Sequence, residues 1–275
     1  MIWEILLETL KIILIVAALM TAVEWLQIRF KDKIERAVTK NKKNQIVSSS
    51  LLGAVPGCVT AFFVVNMYSH GIVGFGGLAA VMLATAGDEA FVMLAMIPEA
   101  AILIFGACIA VGIAGGFIAD RVAKKIKLKR AEPCPIIIHA EESKAGHFFR
   151  EHVYRHVIKK HIPKLFLWIF FTLLILQILT QQFDLAAILP KNVLLIIILA
   201  ALVGIIPESG PHLIFLTLFA QGMVPFSVLL TSSLVQDGHG LLPLLSYSVR
   251  DTINVKLFNV GMGLLFGLAL FLIGV

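Results

Sequence analysis

Charge is what this sequence has least of. Only 15% of its 275 residues are Asp, Glu, Lys or Arg, while 59% are hydrophobic and the mean hydropathy is +0.95. Soluble domains carry about 25% charged residues and are roughly half apolar, so a soluble globular domain is excluded. Cysteine is scarce too. Cys58, Cys108 and Cys134 lie far apart, form no CxxC or other zinc spacing, and support neither a disulfide framework nor a cysteine metal site. The HExxH and GxSxG motifs are missing, as is any ATP-binding motif, which argues against intramembrane hydrolysis and against ATP-driven work. The first twenty residues lack a basic n-region and a small-residue cleavage site, so a retained first helix is expected rather than a signal peptide.

What the chain does have is long apolar runs separated by two basic blocks. Apolar stretches predict helices near 2–28, 46–69, 72–86, 89–97, 100–119, 164–181, 192–220, 223–235, 240–248 and 252–274. The formal charge of +6 does not call for a nucleic-acid partner, because the basic residues flank these stretches. Residues 29–43 hold seven Lys or Arg, and residues 121–164 hold twelve of the 23. The positive-inside rule places loops 29–45 and 121–163 in the cytoplasm. Both termini and the loop with Lys191 then lie outside, and Arg250 and Lys256 fall cytoplasmic. A multi-pass protein of the cell membrane is the expectation, with lipid as its solvent and a homo-oligomer left open.

Two stretches are too short to cross. As helices, 72–86 would reach about 22 Å and 89–97 less, against a hydrocarbon core of roughly 30 Å. Joined by AGDEA, they predict a re-entrant hairpin, and 223–248, joined by QDGHG, predicts another. An internal repeat supports this pairing. At a constant offset of 151 residues, Gly53, Pro56, Gly71, Phe75 and Gly87 fall on Gly204, Pro207, Gly222, Phe226 and Gly238. The expected architecture is therefore an all-α polytopic membrane protein of two inverted repeats, each with three spanning helices and one re-entrant hairpin. Residues 1–120 form the first repeat, 121–163 a basic linker containing histidines, and 164–275 the second.

The hairpin tips, Gly87-Asp88-Glu89 and Gln236-Asp237-Gly238-His239, should meet near the midplane, where transporters bind solute. Carboxylates there cost about 2.5–3.5 kcal/mol on insertion scales and need a cation, a partner or water. Helix capping is the competing explanation for Asp88 and Asp237. A second cluster is Pro207-Glu208-Ser209-Gly210-Pro211-His212, whose prolines interrupt 192–220 and free backbone carbonyls. Its counterpart is Val55-Pro56-Gly57-Cys58. Glu208 and His212 would share a face if the turn between them stayed helical. Candidate solute ligands are Asp88, Glu89, Glu208, Ser209, His212, Gln236, Asp237 and His239, with Gly53, Pro56, Gly57, Gly87, Gly204, Pro207, Gly210, Pro211 and Gly238 as helix breaks. The carboxylates and imidazoles of Asp88, Glu89, Glu208, His212, Asp237 and His239 suit a divalent metal such as Mn²⁺. His147, His152, His156 and His161 read as part of an interfacial amphipathic helix rather than a metal site. Glu4, Glu8 and Lys11 need no more than i,i+4 pairing and snorkelling. Cys108, Met93 and Met96 are read as core packing.

The motifs VPGC, GDEAF, IPESGPH and SSLVQDGHG resemble those of the ten-helix heavy-metal exporters, a family related to arsenical permeases and described as exporting manganese or arsenic. The resemblance covers almost the whole chain and implies a secondary transporter, with a divalent metal such as Mn²⁺ as solute. A metalloid or small anion held by helix N-termini is the alternative. An intramembrane enzyme or a structural subunit is the reading from a different class.

Overall fold

The computed structural model describes residues 2–29, 38, 41–125 and 161–275, and among them it is helical with no strand. Most of loop 29–45, the linker up to residue 160, Cys134 and the histidines at 147, 152 and 156 lie outside the described residues. The first half comprises α1 (Ile2–Arg29), α2 (Lys42–Gly53), α3 (Val59–Ser69), α4 (Phe75–Ala84), α5 (Glu89–Met96) and α6 (Pro98–Lys125). The second comprises α7 (Ile162–Gln182), α8 (Val193–Val203), α9 (Leu213–Ala220), α10 (Phe226–Val235), α11 (Leu241–Tyr247) and α12 (Val249–Leu272). The 151-residue offset survives in three dimensions: adding 151 to the bounds of α4, 75 and 84, gives those of α10, 226 and 235.

Local chemistry sets the ends of these elements. Asn41 caps α2 by accepting a hydrogen bond from the Asn44 amide at 2.8 Å. Pro98 opens α6, where its missing N–H costs nothing. Ser248 caps α12 through the Asp251 amide at 3.2 Å. Inside each half, Pro56-Gly57 and Pro207 to Pro211 stop helices that their apolar sequences would otherwise continue.

Contacts along α2 and α4 fix the path of the chain. Gln45 donates to the Ile72 carbonyl and accepts from the Gly74 amide, both at 2.9 Å. Further along, a Cβ on Gly77 would lie 3.3 Å from Ser49 Oγ, and one on Gly53 would lie 2.5 Å from the Val81 carbonyl oxygen. The two helices therefore run side by side in the same direction. α3 must return to the level where α2 began, and it does so: the Met67 carbonyl accepts from the Ile72 and Val73 amides at 2.9 and 3.1 Å. α6 then runs antiparallel to α4 and α5 together. Gly116 packs on Gly76, Gly112 packs on Ala80 and Ala84, and Ala101, Ile104 and Cys108 join Phe91, Val92 and Met93 in one apolar cluster.

This path exchanges two of the sequence expectations. Segment 72–97 does not fold back: α4, the interruption at Thr85–Asp88 and α5 form one apolar candidate span of 22 residues, Phe75–Met96. Segment 46–69, expected to cross, is the one that folds back. Hydropathy could not separate the two, because both segments are apolar and about as long as a span. The other candidate spans among the described residues are Ile2–Val23, Pro98–Lys125, Ile162–Gln182 and Val249–Leu272. The second half makes the same exchange. Segment 192–220, expected to cross, folds back as α8 and α9, so that Val193 and Ile197 meet Leu218 and Val224. Segment 223–248, expected as a hairpin, runs on past its interruption, with α12 along it through Gly263 against Val235, Gly267 against Thr231 and Lys256 on Asp237.

Small residues make these close approaches. Gly112 and Gly116 are spaced as in GxxxG, and 151 residues later so are Gly263 and Gly267, letting α6 and α12 lie directly on the backbones of the interrupted spans. In Gly116→Ala the new Cβ would sit 2.6 Å from Ile46 and 2.8 Å from the Gly76 carbonyl oxygen, whereas Gly106 has nothing within 4 Å. Gly116→Ala is expected to cost about 1–3 kcal/mol, read as a lower unfolding temperature in detergent, and Gly106→Ala to leave it unchanged or raised.

Candidate functional site

The interruption between α4 and α5 meets the one between α10 and α11 at glycine. Gly87 and Gly238 both hold positive φ, 53° and 50°. A Cβ on either would fall 3.5 or 3.4 Å from the other's Cα, so the two interruptions touch backbone to backbone. The fold-back tips close over the same point. Cys58 Sγ lies 3.6 and 3.7 Å from the two Cβ positions, and Ser209 Oγ 2.7 and 2.9 Å. Cys58 and Ser209 are themselves 151 residues apart, and the Gly57 amide donates to the Gly87 carbonyl at 3.0 Å. Four breaks in helical structure thus converge on one buried junction.

Beside it lies a cluster of ionisable groups. Asp88 and His239 occupy equivalent places at the two interruptions, with His239 Nδ1 3.9 Å from Asp88 Oδ2. His161, at the start of α7, places Nδ1 2.7 Å from the same Asp88 oxygen. Glu208, from the second fold-back tip, lies 3.4 Å from His239 Nε2 and pairs with Lys164. Lys164 Nζ is 3.1 Å from His239 Nε2. The Cys58 thiol stands 4.0 Å from Asp88 Oδ1 and 3.9 Å from His239 Nδ1. Asp88 is 5% exposed at its side chain, Glu208 22% and Lys164 46%, so the cluster grades from a buried carboxylate to a half-exposed ammonium.

The remaining expected ligands are drawn elsewhere. Asp237 is fully buried and engaged by Lys256 and by Asn259, whose Nδ2 donates to Oδ1 at 2.7 Å. Glu89 receives the Gln236 amide, and its other oxygen has no hydrogen-bond partner. His212 turns to Ser232 on α10, with Nδ1 2.9 Å from Oγ. Glu208 and His212 do not share a face, because the turn between them includes a 3₁₀ segment, Gly210–His212, that rotates the second away from the first. Ser209 sits at the glycine junction with its hydroxyl unpaired. Among the described residues no group of three or more His, Cys, Asp or Glu is arranged to hold a metal ion. The six expected metal ligands therefore fall into four separate arrangements: Asp88, Glu208 and His239 share one, and Asp237, Glu89 and His212 each have their own.

Sequence reasoning missed four participants. His161 was read as part of an interfacial helix and Lys164 as part of a basic block, and neither reading signals a partner 44 to 75 residues away in sequence. Lys256 was expected at a cytoplasmic helix end, yet it is 7% exposed and bonded to a helix interruption. Asn259 offered no signal in isolation.

The family described as "Putative, 10TM heavy-metal exporter" matches residues 9–144 and again residues 137–273. The chain belongs to that family. Neither the curated proteins nor the solved structures contain a match to it. The exporter family's two matched stretches fall on the two halves that the 151-residue offset relates, and the ionisable cluster takes residues from both.

The glycine junction is open to direct test. Gly87→Ala should cost about 1–2 kcal/mol for the left-handed backbone, and more for the collision with Ser209 Oγ. Adding Ser209→Gly removes the collision but not the backbone cost, so a double-mutant cycle on thermal unfolding should return a coupling of roughly 0.5 kcal/mol or more.

Proposed function

We propose that this chain is a secondary exporter of a divalent heavy-metal ion, with Mn²⁺ as the candidate, that works by alternating access across the cell membrane. Membership of the exporter family supports the class. The observation that carries the site is the meeting of Asp88, His161, Glu208 and His239 where four helix breaks converge. Carboxylate and imidazole donors suit Mn²⁺. Interrupted helices at a solute site supply backbone dipoles without leaving polar groups in lipid.

Membrane placement follows from the basic blocks. With 29–45 and 121–163 cytoplasmic, the fold-back α2–α3 enters from the cytoplasm and returns there. α4–α5 then crosses outward and α6 inward. After the linker α7 crosses outward, the fold-back α8–α9 enters from outside, α10–α11 crosses inward and α12 outward. Each half has an odd number of crossings, so the repeats are inverted and their fold-backs enter from opposite faces.

Lys164 sets the charge balance of this site. Its ammonium pairs with the Glu208 carboxylate and approaches His239, so it neutralises donors that a dication would take. Being half-exposed, it can swing into water at small cost when a dication arrives. Exchange of an internal cation for an external one couples loading to a local charge change, which a proton gradient can drive. The same ammonium favours the second reading, a metalloid or small anion, in which Lys164 and the imidazoles contact the solute directly.

Flux into proteoliposomes separates the two. Asp88→Asn and His239→Ala should each lower Mn²⁺ transport about tenfold or more, the effect of losing one charge-assisted contact worth roughly 1.5–3 kcal/mol. Unchanged Mn²⁺ flux in both variants overturns the site. Arsenite flux with no Mn²⁺ flux, abolished by Lys164→Ala, selects the metalloid.

A further inference from the structure

A second place in the molecule is organised around positive charge, and the cation there belongs to the chain. Lys256 on α12 donates to the Gly204 carbonyl at 2.6 Å, to the Val235 carbonyl at 2.9 Å and to Asp237 Oδ2. An ammonium has three N–H donors, and all three are used. Gly204 caps the C-terminus of α8 and Val235 is the last residue of α10, so two helix ends point their partial negative charges at one nitrogen beside a carboxylate. Lys256 is 7% exposed and Asp237 not at all. Asn259 holds the other Asp237 oxygen, and its own Oδ1, also buried, has no hydrogen-bond partner.

The first half does not repeat this ion pair. The positions 151 residues earlier than Asp237, Lys256 and Asn259 are Ala86, Phe105 and Cys108. An interrupted span packed against a fold-back therefore does not of itself demand an ammonium. What demands one is Asp237 together with the two converging carbonyl ends. Oxygen-only ligand sets of this kind are those that hard cations take.

The geometry points to a monovalent-cation site in the second half that Lys256 fills permanently, an internal substitute for a free ion such as Na⁺. The joint of α8, α10 and α12 then keeps its charge balance through every conformation and needs no Na⁺ from either side. The site uses none of the residues assigned to the exported solute, so its test can fail without touching that reading.

The test is thermal unfolding of the purified full chain in detergent, titrated with NaCl against choline chloride. Wild type should not distinguish the two salts. Lys256→Ala removes the ammonium and leaves the oxygens, so its unfolding temperature should fall in choline and rise by about 5 °C or more at saturating Na⁺. Lys256→Ala/Asp237→Asn, which lacks the carboxylate as well, should lose that Na⁺ response. Should Lys256→Ala fail to accumulate, Lys256→Gln, which keeps the stem and neutral donors, is titrated in its place. A flat Na⁺ response in the single variant, an equal response in wild type, or two variants that stay unfolded in either salt would each overturn the proposal.

Discussion

The backbone contact between Gly87 and Gly238 is the constraint on which the rest depends. Each glycine interrupts an apolar helical path, and an interruption strands amide and carbonyl groups that lipid cannot satisfy. Placing the two interruptions against each other, with the fold-back tips of Cys58 and Ser209 over them, hides those groups inside protein. Only residues without a Cβ permit the approach, and only glycine adopts the positive φ at little cost. The GxxxG pairs of α6 and α12 serve the same end by drawing a continuous helix onto each interrupted one.

Around this neutral centre the chain stores two ammonium groups in contrasting ways. Lys256 is buried, with every donor taken by a carboxylate and two helix ends. Breaking such a pair from one side leaves an uncompensated charge in a poor solvent, which makes it a fixed part of the fold. Lys164 is half-exposed and bonded at one end of a graded cluster. The two ammonium groups differ most in burial.

Much of this was legible in one dimension. Hydropathy marks the class, and the offset of 151 residues pairs Gly53, Pro56 and Gly87 with Gly204, Pro207 and Gly238. Asp88, Glu208 and His239 stood out because charged residues beside glycine and proline in apolar surroundings are costly. Two assignments failed for one shared reason: periodicity reports that a segment is helical and apolar, not whether the chain beyond a break continues or turns back. Segments 46–69 and 72–97 satisfied the same pattern and took opposite courses. Lys256, in turn, was assigned by its position near a helix end, while the carbonyls it binds come from segments 21 and 52 residues away.

The sequence alone determined an all-helical membrane protein, a doubled architecture and the breaks in each half, because composition and repeated glycine and proline are local properties. Only the tertiary structure decided which segment crosses and which returns, that His161 and Lys164 complete the ionisable cluster, and that Asp237 already possesses a cation. Those outcomes depend on side chains 19 to 75 residues apart reaching hydrogen-bonding distance, a result of packing that no single segment encodes.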